Sequence, residues 1–154
     1  MKPFKIVFVC TGNTCRSPMA QIMMQHMLSD EKRQRFDISS AGLFAMPGQP
    51  ITRYAAEVLQ ELGMDLKEHC SSMLNEQIIK SADIILVMTE SHKRTVISNI
   101  PQAANITYTL SEYALGKDNT GIKDIDDPFG GNLDTYRVIR DQIRIYLKKI
   151  AEKI

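Results

Sequence analysis

The sequence predicts an α/β fold built on a parallel sheet with helices on both faces. Three observations lead there. Short apolar runs rich in β-branched residues, KIVFVC (5–10) and DIILVM (83–88), read as buried strands. Segments with apolar residues at helical spacing alternate with such runs. The chain, at 154 residues, suits one compact domain spanning 1–154. Strand–helix alternation within one domain favours parallel pairing, because each crossover helix must pack back onto the sheet. In such folds ligands bind beyond the carboxyl ends of the strands.

The elements follow in order. KIVFVC (5–10) is the first strand. SPMAQIMMQHMLSD (17–30) is a helix with Met19, Ile22, Met23 and Met27 on one face, Ser17 as its cap and Pro18 at its first position. RFDISSAGL (35–43) is a second, shorter strand. QPITRYAAEVLQELG (49–63) is a helix ended by Gly63. LNEQIIKSA (74–82) is a short helix, DIILVM (83–88) a strand, and TESHKRTVISNI (89–100) a helix starting at Thr89. NITYTL (105–110) is the fourth strand. A long polar loop (112–131) and a closing helix (132–154) complete the chain. Loops of that length are often functional.

Composition narrows the function classes. Nineteen basic against 18 acidic residues leave no whole-chain field for nucleic acid or a membrane surface, so anion recognition must be local. The apolar part of MKPFKIVFVC is too short for a signal peptide, and no stretch reaches the length of a membrane span. A cytoplasmic location is expected. Cys10, Cys15 and Cys70 are too few for a disulfide framework. With three scattered histidines they match no common zinc spacing. Intracellular thiol chemistry remains.

That chemistry is carried by VFVCTGNTCRSPMA (7–20). Phosphate needs several N–H donors converging on one point, and a loop passing from a strand into a helix N-terminus supplies them. Thr11, Gly12, Asn13, Thr14, Cys15 and Arg16 form the expected phosphate-binding set. Gly12 and Asn13 tolerate the left-handed angles that wrapping requires. Arg16 adds a planar fork matched to phosphate oxygens. Cys10 lies at the base of the cradle, where the helix dipole, the amides and Arg16 favour its thiolate. A thiolate under a phosphorus atom is placed for in-line attack. Ser17 is within reach of that sulfur as a hydrogen-bond donor. Cys-x5-Arg alone is weak; Cys-x5-Arg-Ser-Pro between a buried strand and a helix start is far stronger.

VCTGNTCRSPMA resembles the active-site loop of the low-molecular-weight protein tyrosine phosphatase family. ISSAG (38–42), ADIILVMTESHK (82–93) and DDPFGG (126–131) stand in matching order, so the resemblance covers nearly the whole chain. The bacterial protein-arginine phosphatase branch is the nearest match, sharing CTGNTCRSPMA, a TLSEY-like segment and DPFGG. The resemblance implies a four-stranded parallel sheet flanked by helices. It also implies two-step hydrolysis through a phosphocysteine intermediate, without metal or organic cofactor. Cys10 matches the nucleophile, Arg16 the phosphate-binding arginine, Ser17 the thiolate-stabilising serine and Asn13 the loop-shaping asparagine. Ser40 and His69 look like the pair that supports Asn13. The general acid falls at Asp127, whose aim Pro128 restricts to extended geometry. Asp124 and Asp126 are expected as solvated loop charges or neighbours of Asp127.

Two residues bear on the substrate. Phe129 stands where tyrosine phosphatases of this family usually carry tyrosine, and an aromatic there can wall the cleft against a phenyl ring or a guanidinium plane. Thr14 stands where tyrosine-directed relatives tend to carry an aliphatic residue. A hydroxyl there suits a guanidinium better than a phenyl ring. Protein phosphoarginine is therefore the expected substrate, with phosphotyrosine the alternative and arsenate reduction a minor one, since the latter needs two further cysteines close together. A silent phosphopeptide-binding module would lack the thiol or the acid. Cys15 is a candidate redox partner for Cys10. Cys70 is expected to be an ordinary helix or loop residue, His26 and His92 surface or satisfied residues, and the methionines of the first helix core filler. Phosphorylated proteins are the expected partners, and a monomer the expected oligomeric state.

Overall fold

The computed structural model describes residues 2–64 and 68–154. Its centre is a four-stranded parallel sheet in the order β2-β1-β3-β4. The strands are β1 (Phe4–Cys10), β2 (Phe36–Gly42), β3 (Ile84–Val87) and β4 (Thr107–Thr109). β1 is flanked on both sides: Ile6 pairs with Ile38 of β2 and Ile84 of β3, and Cys10 pairs with Gly42. Among the described residues seven helices surround the sheet: α1 (Arg16–Met27), α2 (Asp30–Arg35), α3 (Arg53–Gln60), α4 (Glu76–Ser81), α5 (Glu90–Asn99), α6 (Leu110–Leu115) and α7 (Leu133–Lys153). A 3₁₀ turn, Pro101–Asn105, precedes β4. Among the described residues no helix is long and apolar enough to cross a membrane.

Alternation along β1 divides the core into two layers. Ile6, Phe8 and Cys10 face α1, α3, α6 and α7, where they meet Met19, Met23, Leu59, Ala114 and Leu147. Val7 and Val9 face the other way, onto Ile79 of α4 and Val96 of α5. A strand buried on both faces must be apolar at every position, which is why KIVFVC is a continuous run. Met19, Met23 and Met24 are fully buried, as expected of core methionines.

Several element boundaries depart from the sequence expectation: the helix expected from 49 begins at Arg53, and the strand expected over 105–110 is confined to Thr107–Thr109. The first helix begins at Arg16, with Cys15 in the cap position and no side-chain cap. Ser17 is therefore inside the helix and not its cap. That helix stops at Met27, and Ser29 opens the separate α2 by accepting from Lys32 N–H. α2 buries no residue, so DEKRQR carries no apolar period to read. The third helix ends at Gln60; Gly63 lies beyond it, at φ 69°, closing a turn in which its N–H donates to Gln60 O. The expected loop at 112 starts with a helix instead. Thr109 and Glu112 form a reciprocal capping box that sets α6 directly after β4.

Strand order places the site. From β1 the chain passes through α1 and α2 to β2 on one side, then crosses through α3 and α4 to β3 on the other. Connections leave in opposite directions between β1 and β3, and a crevice opens at their carboxyl ends. Cys10 is the last residue of β1, and α5 starts just past β3.

Candidate active site

Asn13 organises the loop. It is fully buried and holds φ 58°, the sole left-handed non-glycine among the described residues. Its side-chain orientation follows from its partners. Ser72 N–H can only donate, so the atom it meets at 2.9 Å is Asn13 Oδ1. Nδ2 is thereby turned to Ser17, donating to Oγ at 2.8 Å. Ser17 Oγ then has its own proton free for Cys10 Sγ, 2.9 Å away. The relay Asn13–Ser17–Cys10 delivers a hydrogen bond to the sulfur of a residue that is 2% exposed. Because Ser17 does not cap α1, its hydroxyl is available for this contact.

The expected supports of Asn13 divide. His69 donates from Nε2 to Asn13 O at 2.8 Å, satisfying a carbonyl that the left-handed turn leaves unpaired. Ser40 does not join it: its hydroxyl donates to Gln21 Oε1 at 2.6 Å. Ser72 takes the expected place of Ser40. The segment carrying Ser72 runs beside the end of β2, where Gly42 N–H donates to Ser72 O and Leu74 N–H to Gly42 O, each at 2.8 Å. Gly42 permits this closeness. A Cβ there would lie 2.7 Å from Thr11 O and 3.0 Å from Asn13 N.

Arg16 is the first residue of α1 and is buried. Its Nη1 donates to Ile125 O at 2.8 Å, and its Nη2 lies 3.7 Å from Asp127 Oδ2. The expected phosphate ligand and the expected acid thus face each other. Asp127, 51% exposed at the side chain, accepts from Phe129 N–H at 3.1 Å. Phe129 itself is 75% exposed on the lip. Ile125 anchors this segment: it is fully buried, and its N–H donates to Met88 O at 2.9 Å. Asp124 is not a free loop charge, because Oδ1 accepts from Glu90 N–H at 2.9 Å and binds the loop to the start of α5. Asp126 is exposed.

The remaining loop residues line up as follows. Thr11 is exposed, and its Oγ1 lies 2.9 Å from His92 Nε2. Gly12 is half-buried; a Cβ on it would sit 3.8 Å from Thr14 Oγ1. Thr14 is also half-buried, its carbonyl accepting from Thr52 N–H at 2.9 Å. Cys15 is buried, its Sγ 3.5 Å from both Thr52 Oγ1 and Tyr136 Oη. Burial, followed by the contact with Cys15, pushes the Tyr136 phenol up to about 12, so it stays protonated beside the thiol. Cys70 is exposed, and His26 is half-buried with Nδ1 2.9 Å from Ile22 O.

His92 departs from the expectation of an ordinary satisfied residue. It is 8% exposed, and among the described residues its buried Nδ1 has no partner. Ser72, Ile125, Asp124 and His92 carry no local signal; each reaches the site only through pairing of distant segments. Gly42 and His92 do fall within the segments ISSAG (38–42) and ADIILVMTESHK (82–93).

Chemically, the site offers a buried thiol with a hydroxyl donor, a loop wrapped by a left-handed turn, a forked cation and an opposing carboxylate. The family described as low molecular weight phosphotyrosine protein phosphatase matches residues 5–154. A protein-arginine-phosphatase of Geobacillus stearothermophilus is 38% identical over 152 residues, covering 99% of this chain and 97% of its own. A low molecular weight protein-tyrosine-phosphatase, PtpB of Staphylococcus haemolyticus, is 40% identical over 146 residues, covering 95% and 96%. The solved structure of the YwlE arginine phosphatase from Geobacillus stearothermophilus superposes with a TM-score of 0.87 at 39% identity, covering 98% of this chain and 92% of that one. The chain, a cysteine-dependent phosphatase by this descent, belongs to the low molecular weight phosphotyrosine protein phosphatase family.

Proposed function

We propose that this chain, acting as one domain, hydrolyses phosphoarginine in proteins through a phosphocysteine intermediate. Cys10 attacks phosphorus while the loop amides and Arg16 hold the phosphoryl oxygens. Asp127 protonates the departing guanidine nitrogen, then as carboxylate activates water against the phosphocysteine. The Asn13–Ser17 relay supports the thiolate, and the approach of Asp127 Oδ2 to Arg16 Nη2 supports an acid standing over the phosphate site.

Phosphoarginine is favoured by one observation: a threonine at loop position 14, half-buried, with its Oγ1 3.8 Å from where a Cβ on Gly12 would sit. A guanidinium departs with N–H groups to satisfy, and a hydroxyl and a carboxylate meet that need where an aliphatic side chain does not. The Geobacillus relative, named for arginine, supports the same reading. Phosphotyrosine is the second reading. The exposed Phe129 ring on the lip can pack on a phenyl group, and the Staphylococcus relative is named for tyrosine.

The deciding measurement is kcat/KM on a phosphoarginine peptide and a phosphotyrosine peptide side by side, with Cys10→Ser as the blank. Preference for phosphoarginine, reduced by Thr14→Ile, is the expected result. An unchanged ratio in Thr14→Ile removes Thr14 from specificity; preference for phosphotyrosine in the wild type overturns the substrate. The Cys10–Cys15 redox pairing remains a proposal supported by two free, buried thiols in one loop. Peroxide treatment should then cost two thiols, restored by a reductant.

A further inference from the structure

His92 lies where the crevice walls meet. It is the third residue of α5, its own N–H donating to the Thr89 cap at 3.1 Å. Its ring reaches across to the residue that follows the nucleophile, with Nε2 2.9 Å from Thr11 Oγ1. The charged groups facing the ring are Arg16 from the start of α1 and Asp124 and Asp127 from the loop before α7. We propose that His92 is a positioning residue. Its Nε2–H donates to Thr11 Oγ1 and thereby frees the Thr11 hydroxyl proton to donate to a phosphoryl oxygen in the cradle.

The orphaned nitrogen decides the direction of that bond. One assignment puts the proton on Nδ1, burying an N–H that nothing accepts. The other leaves Nδ1 a bare lone pair and makes Nε2 the donor. A donor buried without an acceptor forfeits the hydrogen bond it made to water, and such groups are rarer than unsatisfied acceptors. Nε2–H is therefore the consistent tautomer. Burial, then the nearby Arg16, holds the ring well below its ordinary range, at about 4, so it stays singly protonated at neutral pH.

The consequence falls on Thr11. Its hydroxyl accepts from the ring and keeps its own proton, and the residue is exposed beside Cys10. A hydroxyl held this way is a donor to an anion. In the opposite tautomer Thr11 would spend its proton on the ring and turn only lone pairs outward, which repel phosphoryl oxygens. The inference rests on residues 10–16 being the phosphate cradle, and holds for a phosphoarginine or a phosphotyrosine substrate alike.

Two experiments test it. Imidazole nitrogen-15 spectra of the wild type at pH 7 should show His92 protonated on Nε2 and bare on Nδ1. A proton on Nδ1, alone or together with Nε2, overturns the proposal. Turnover of para-nitrophenyl phosphate is then measured for Thr11→Val, His92→Phe and the double variant. Each single change should lower kcat/KM about tenfold, the worth of one hydrogen bond to an anion, and the double should lose no more than the worse single. Thr11→Ser and His92→Gln, which retain the hydroxyl and an Nε2 donor, should stay within about threefold of wild type. Additive losses, or conservative variants no better than the others, overturn it. If His92→Phe does not fold, Thr11→Val against Thr11→Ser decides, since Thr11 is exposed. Turnover surviving in Cys10→Ser would instead remove the cradle reading, and leaves the tautomer result standing.

Discussion

Asn13 shows how much one side chain settles. Its Oδ1 takes Ser72 N–H, so its Nδ2 must face Ser17, so the Ser17 proton must face Cys10. The proposed acid, Asp127, is set differently, on an exposed carboxylate 3.7 Å from Arg16 Nη2. Asp127→Asn should lower kcat/KM on phosphotyrosine about 10²- to 10⁴-fold, the usual worth of a general acid. On 2,4-dinitrophenyl phosphate, whose leaving group needs no proton, the loss should be small; equal losses on both would remove Asp127 as the acid. His92 carries a second consequence. Its folded pKa of about 4 lies below the ordinary 6.5, so between these values the unfolded chain binds a proton that the folded chain refuses. Stability contributed by neutral His92 is thus full above about pH 6.5, falls as pH drops to about 4, and levels off below, by roughly 3 kcal/mol at most. Denaturant unfolding of wild type and His92→Gln, compared at pH 7 and pH 4.5, should show the variant losing less.

At the level of elements, the end of β2 matters as much as the end of β1. Gly42 pairs with Cys10 across the sheet and also bonds the Ser72 segment. Gly42→Ala would set a methyl 2.7 Å from Thr11 O and 2.9 Å from the Ala45 methyl, with backbone on one side that cannot rotate away. It should cost about 1–3 kcal/mol of stability and push the cradle out of shape. Thermal unfolding together with the inhibition constant for inorganic phosphate checks both. Thr89, Thr109, Asn75 and Asn132 cap their helices as such residues do, and the strands appear where β-branched runs placed them. Elements without an apolar period, such as α2, and boundaries set by a reciprocal cap, such as α6, were not legible from spacing alone.

Across the whole molecule, the layer holding Cys10 depends on α3 and α7 staying together. Arg140 of α7 is buried and donates to Val58 O at 2.9 Å and to Glu61 Oε1 at 2.7 Å. Arg137 joins the same carboxylate. Its hydrogen bonds, with burial opposing and Arg140 assisting, hold Glu61 down to about 2, so the clamp stays ionised through any working pH. Glu61 would protonate, and its contribution fade, only as pH falls from the ordinary carboxylate range toward 2. Arg140→Ala should destabilise the fold by about 1–3 kcal/mol while leaving kcat on para-nitrophenyl phosphate nearly unchanged, since Arg140 is among neither the loop nor the acid residues. Calorimetry and steady-state kinetics on one preparation separate the two effects.

The sheet, most of the helices and the expected phosphate loop at residues 10–17 are legible in the sequence alone. The reason is physical: a buried strand must be apolar throughout, and a phosphate loop needs its nucleophile, its turn residues and its guanidinium within one short contiguous segment. What stands around that loop follows from tertiary contacts. Ser72 replacing Ser40 beside Asn13, Ile125 holding Arg16, Asp124 tied to α5, and His92 over Thr11 are all contacts between residues far apart in the chain. Such partners are selected by register and by the crossing of the chain at the switch between β1 and β3. No spacing along the sequence encodes that geometry.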